Sequence, residues 1–200
     1  MRVGVLVSGR GSNLQALLAA QDRGDLAPAE LAVVVSNRPD AEAVEHAAAA
    51  GVSTAVVDHT GYHDRATFDR ALLAELHAHG VEALVLAGFM RVLTPVLLEA
   101  FPRRIINIHP SLLPSFPGLH APEQAIERGV KVSGCTVHFV EAGVDSGPII
   151  AQHVVEVLPD DTPTSLHARI QVIEHELLPQ ATAWLAAGRL EVVGRTVRIH

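Results

Sequence analysis

Val3-Gly4-Val5-Leu6-Val7-Ser8-Gly9-Arg10-Gly11-Ser12-Asn13-Leu14 passes from a β-branched apolar run, through a glycine-punctuated turn, into a helix. The helix is predicted over 12–23, with Leu14, Leu17 and Leu18 on one face and Gly24 past its end. The same unit recurs downstream. Strands are predicted at 31–35, 54–57, 83–87 and 104–108, and helices near 41–50 and over 65–79 and 95–100. Short strands that are apolar throughout, separated by helices, describe a parallel sheet covered on both faces. Right-handed crossovers then give a doubly wound, Rossmann-like α/β fold.

After residue 109 the pattern changes. Pro110, Pro114, Pro117 and Pro122 punctuate a loop-rich stretch. Strand candidates at 132–140 and 148–157 lie close enough to pair antiparallel. A long helix follows, with Thr162 as N-cap and Pro163 at N1. Leu166, Ile170, Ile173, Leu177, Ala181 and Trp184 keep helical spacing as far as Gly188, and Pro179 is expected to kink it. Gly194-Arg195, between 190–193 and 196–199, fits a type II′ hairpin that reads as carrying no chemistry. With no linker in view, residues 1–200 read as one domain, divided at 109 and 188.

Composition excludes several classes. Two hundred residues suit one domain able to bury roughly 70% of its unfolded surface. Hydrophobic residues at 48% and charged residues at 18% exclude disorder along most of the chain. A single cysteine, Cys135, excludes a disulfide framework or a thiolate metal cluster. An aromatic share of 4% and a net charge of −7 argue against nucleic-acid binding. Any anionic ligand must therefore be held by local geometry. No apolar stretch reaches the ~18 residues of a membrane span, and no signal-peptide pattern is present, so a soluble cytoplasmic protein is expected. Protonating the twelve histidines would carry the formal charge from −7 to +5.

Three segments carry chemical signals. Ser8-Gly9-Arg10-Gly11-Ser12-Asn13 joins a strand to a helix N-terminus, where free N–H groups and close backbone approach suit a phosphate. It is not a dinucleotide fingerprint. Leu14 replaces the third glycine, and the second strand ends in Val35-Ser36-Asn37 without an acid. The alternative is a tight turn capped by Ser12 or Asn13 with no ligand. In Asn107-Ile108-His109-Pro110 the strand period puts Asn107 and His109 on one face. An amide donor beside a titratable ring suits a developing oxyanion. The alternative is a histidine buried against the sheet and bonded to a backbone carbonyl. Glu141-Ala142-Gly143-Val144-Asp145-Ser146-Gly147-Pro148 is an adaptable loop. Asp145 either folds back to His109 and raises its pKa, or merely supports a turn. His77-x-His79 and His59 with His63 are weak metal patterns and read as surface histidines.

Taken together, these segments resemble the phosphoribosylglycinamide formyltransferases, the folate-dependent enzymes of purine synthesis. The resemblance also runs through Leu86-Ala87-Gly88-Phe89-Met90-Arg91, Asn107 to Pro114, Phe116-Pro117-Gly118-Leu119-His120, Gly134 to Val140 and Asp145 to Ile150. It implies the formyltransferase fold and transfer of a formyl group from 10-formyltetrahydrofolate to the glycine amine of glycinamide ribonucleotide. Asn107, His109 and Asp145 fall on the family's catalytic trio, with Asp145 keeping His109 charged near neutral pH. Gly11, Ser12 and Asn13 fall on its phosphate site, and Glu174 on an acid that contacts the ribonucleotide. Met90, Arg91, Val92 and Leu93, with Asn107 and the loop through Val144, match the pterin site, and Arg65 matches a folate contact. Residues 1–109 then form the phosphate-binding half and 110–188 the folate-site and catalytic-loop half. The resemblance implies no metal, no membrane and a cis Leu113-Pro114 bond, and leaves a homodimer open. Ala121-Pro122-Glu123-Gln124 departs from the Thr-His pair of many relatives.

Related enzymes share the same trio. The tRNA formyltransferase resembles this core followed by a further domain and wants a basic face. The formyltetrahydrofolate deformylase resembles it behind a regulatory domain, whereas here Met1 leads directly into the first strand. The ribonucleotide acceptor is therefore expected, over a deformylase-like hydrolase or an inactive folate- or nucleotide-binding module.

Overall fold

A computed structural model describes the whole chain, Met1–His200. Five parallel strands come first: β1 (Arg2–Val7), β2 (Glu30–Ser36), β3 (Thr54–Val56), β4 (Ala83–Leu86) and β5 (Ile105–His109). Helices α1 (Ser12–Asp22), α2 (Glu42–Ala49), α3 (Arg65–Ala78) and α4 (Pro95–Ala100) alternate with them. Then follow α5 (Ala121–Glu127), β6 (Val132–Phe139), β7 (Ile149–Glu156), α6 (Pro163–Ala186), β8 (Leu190–Val193) and β9 (Thr196–Ile199). All nine strands form one sheet in the order β3-β2-β1-β4-β5-β6-β7-β9-β8. The chain order reverses direction between β1 and β4, which is where an open α/β sheet leaves a crevice at its strand ends.

Alternation along the strands divides the core in two. Val3, Val5 and Val7 face a core completed by α1 and α6, through Leu14, Leu17, Ile170 and Leu178 among others. Leu6, Val33 and Val35 face the opposite core, built from α3 and α4 through Phe68, Leu72, Leu76 and Leu97. On β5, Ile106 and Ile108 enter the first core and Ile105 the second. Asn107 and His109 therefore share the second face.

The predicted helices and strands are present with small shifts at their ends. The stretch after residue 109 also holds a helix that was expected to be loop, α5. Pro122 lies in its first turn, where a missing N–H costs no hydrogen bond. The assignment of α6 is unbroken across the buried Pro179, and the helix is opened by a capping box between Thr162 and Ser165. Trp184, near its end, is half-buried against the first core. Leu113-Pro114 is cis, as is Ala27-Pro28. The terminal hairpin extends the sheet, with Thr196 of β9 beside Ile149 of β7, and the φ of 61° at Gly194 suits the predicted turn. No helix is long and apolar enough to cross a membrane.

Candidate active site

The C-terminal ends of β1, β4 and β5 open into a cleft of about 720 Å³. Its floor at β1 is the turn into α1. Gly11 has φ 81°, and a Cβ there would stand 2.6 Å from Cβ of Ala43, so only glycine lets the loop and α2 approach this closely. No side chain caps α1, contrary to the capped-turn alternative. Gly11, Ser12 and Asn13 all line the cleft, so the first turn of α1, whose N–H groups have no helical partners, borders it.

Glu174 reaches the same corner from α6. It is 3% exposed, and its Oε2 accepts from Asn13 Nδ2 at 3.0 Å. It is therefore not on a solvated helix face. Burial pushes its carboxyl above the ordinary range, and the Asn13 amide offsets only part of this. Asn13 Oδ1 is buried without a partner. Gln171, one turn before Glu174, donates to Ser12 Oγ at 3.3 Å.

The loop after β4 forms the opposite wall. Met90, Arg91, Val92 and Leu93 all line the cleft. Two buried polar groups tie this loop down. Ser8 Oγ accepts from Met90 N–H at 2.9 Å and donates to Asn37 Oδ1 at 2.6 Å. Asp69 on α3 accepts from both the N–H and the hydroxyl of Thr94, at 2.6 and 2.7 Å. The Arg91 guanidinium lies 5.1 Å above the centroid of the Phe68 ring. Met90, Val92, Leu119 and Val144 are exposed apolar side chains that all belong to the cleft. Arg65, by contrast, sits exposed on the first turn of α3 and is not among the cleft-lining residues.

Between these walls the three polar segments meet. His109 Nδ1 lies 3.3 Å from Asp145 Oδ2, and His109 Nε2 lies 2.8 Å from the Phe116 carbonyl. Asn107 Nδ2 donates toward Asp145 Oδ1 at 3.5 Å, at the long limit of a hydrogen bond. Gly118 N–H donates to Asp145 Oδ2 at 2.7 Å. The buried His138 completes the group, its Nε2 3.2 Å from Asn107 Nδ2 and 3.6 Å from Asp145 Oδ1. It stands opposite Asn107 in the β5–β6 register. Segment 134–140 drew attention as a whole, but strand pairing, which selects His138 within it, is not written locally.

The charge state of His109 corrects one expectation. Burial of the ring pulls its pKa below the ordinary imidazole value, and Asp145 and the Phe116 carbonyl offset only part of that pull. Asp145 therefore does not hold the ring charged at neutral pH in the free protein. For Asp145, burial pushes upward, but His138, the Gly118 N–H and His109 together bring the carboxyl below its ordinary range. Burial thus opposes charge on the ring, while its two nitrogens both face acceptors, Asp145 Oδ2 and the Phe116 carbonyl. A proton reaching Nδ1 would find that carboxylate facing it.

Comparisons with known proteins agree with this architecture. The family described as formyl transferase matches residues 1–182. The phosphoribosylglycinamide formyltransferase of Escherichia coli is 40% identical over 192 residues, 96% of this chain and 90% of that protein. The trifunctional purine biosynthetic protein adenosine-3 of Drosophila melanogaster is 47% identical over 188 residues, but the chain spans only 14% of its length. The crystal structure of glycinamide ribonucleotide transformylase 1 from Symbiobacterium toebii superposes with a TM-score of 0.97 at 53% identity, covering 100% of this chain and 93% of that one. A likeness this complete in sequence and in three dimensions places the chain in the formyl transferase family.

Proposed function

We propose that the chain transfers a formyl group from 10-formyltetrahydrofolate to the glycine amine of glycinamide ribonucleotide. The observation that carries this reading is the convergence of Asn107, His109 and Asp145 between an uncapped helix terminus and an apolar-walled loop. The Gly11–Asn13 turn takes the ribonucleotide phosphate. Glu174 and the unpartnered Asn13 Oδ1 accept from the ribose hydroxyls. Residues 90–93, Asn107 and Val144 receive the pterin. Arg65, at the rim, meets the distal carboxylates of the folate.

The neutral amine adds to the formyl carbon, forming a C–N bond as the carbonyl electrons move to oxygen. Asn107 donates to that oxyanion through the N–H held only loosely by Asp145. As negative charge develops, His109 becomes the favoured home for a proton, with Asp145 and the Phe116 carbonyl each ready to accept from one ring nitrogen. The intermediate collapses by breaking the N10–carbon bond, and the amine proton passes to N10. Asp145 positions the ring and, with His109, carries that one proton from the attacking amine toward N10.

The test is an absorbance assay of tetrahydrofolate release from 10-formyltetrahydrofolate, with and without glycinamide ribonucleotide. Turnover that requires the ribonucleotide is expected. Equal turnover without it means hydrolysis, and binding of both ligands without turnover means a binding module; either result rejects the proposal.

A further inference from the structure

The terminal hairpin touches the loop that carries Asp145. Thr196, the first residue of β9, is in register with Ile149, the first residue of β7. This sets the hairpin tip beside residues 141–148. There the Arg195 guanidinium donates to the Ser146 carbonyl and lies 3.6 Å from the Glu141 carboxylate. One side chain thus spans the two ends of the turn around Asp145.

The rest of the loop is held by other means. At its base, a Cβ on Gly147 would lie 1.7 Å from the Phe139 carbonyl oxygen, so the chain is pressed against β6. From the cleft side, Gly118 N–H holds the Asp145 carboxylate. Asp145 itself has φ 48°, a left-handed conformation that a non-glycine residue keeps only when its neighbours hold it there. Ser146, the next residue, is the one whose carbonyl Arg195 grips.

We propose that Arg195 is a positioning residue that holds the Asp145 turn in its reactive conformation from outside the cleft. The hairpin, whose residues by themselves suggest no chemistry, then serves the reaction through this contact. It lies beyond residues 1–182, the part matched by the family, so the clamp reaches the Asp145 turn from outside that segment. Exposed ion pairs are individually weak, but a charged donor on a backbone carbonyl is stronger. A moderate effect is therefore expected, roughly three- to tenfold in rate.

The proposal rests on the catalytic reading of Asp145, and its test separates the two. Arg195→Ala and Arg195→Lys are compared with the unaltered chain by hydrogen exchange of the 142–146 amides without substrates, and by steady-state kinetics. Faster exchange is expected in Arg195→Ala, with a three- to tenfold lower kcat/KM for the formyl donor. The KM for the ribonucleotide and the melting temperature stay unchanged, and Arg195→Lys recovers part of both effects. Unchanged exchange overturns the clamp whatever the activity does. Faster exchange with unaltered kinetics overturns its service to the reaction. If the unaltered chain transfers no formyl group, the functional reading fails, and the exchange measurement alone decides whether Arg195 holds the turn.

Discussion

In the proposed reaction Asn107 offers an N–H to the reacting oxygen, and an oxyanion donor of this kind contributes about 3–4 kcal/mol at the transition state. Asn107→Ala should therefore lower kcat by about 10²–10³ while leaving both KM values nearly unchanged, as measured by steady-state kinetics. A comparable rise in KM would mean that the amide binds the ground state equally well. His109 yields a stability prediction with a definite sign. Its folded pKa is depressed below 6.5 by burial. As pH falls through that range the unfolded chain takes up the proton first, so folded stability declines with acid and is retained above it. The melting-temperature advantage of the unaltered chain over His109→Asn should therefore shrink between pH 7.5 and pH 5.5. That Asn107 and His109 share a face was legible from the two-residue strand period. The arrival of Asp145 and His138 was not, because it depends on the β5–β6 register and on the turn that presents Gly118.

The β1–α1 unit shows how a local sequence signal becomes a wall of the cleft. Its glycines were readable as a close-approach turn, and Gly11 combines a left-handed φ with contact to α2. Gly11→Ala should cost about 2–4 kcal/mol from the left-handed backbone and the overpacked contact. It should also abolish ribonucleotide saturation at accessible concentrations. Thermal denaturation and a ribonucleotide titration check the two effects separately, and an unperturbed titration would remove this turn from the phosphate site. Helix α5 escaped the sequence reading because its proline sits in the one turn that tolerates it. Arg65 was legible as the start of α3, but a folate contact for it came only through family resemblance, and it is not among the cleft-lining residues. Helix α5 was hidden for a local reason, while the alternating strands and helices were open to view.

At the scale of the molecule, the boundary near residue 109 marks a change of pattern and not a seam. β5 and β6 are hydrogen-bonded neighbours, and α6 supplies Leu166, Ile170, Leu177 and Leu178 to the core under β1 and α1. A fragment of residues 1–109 would expose that apolar face, at roughly 1.5–3 kcal/mol for each buried aliphatic side chain it lacks. It should show no cooperative thermal transition by circular dichroism, whereas the full chain should melt in a single step. A cooperative fragment would mean that the first half is a domain by itself. The position of the lone tryptophan has a practical consequence. Trp184 lies ten residues beyond Glu174 along α6, about 15 Å at helical rise, and is packed at the far end of that core. Its emission should report global unfolding from a place remote from the cleft, so one fluorescence cuvette can follow denaturation while saturating ribonucleotide, which does not absorb where tryptophan is excited, is added.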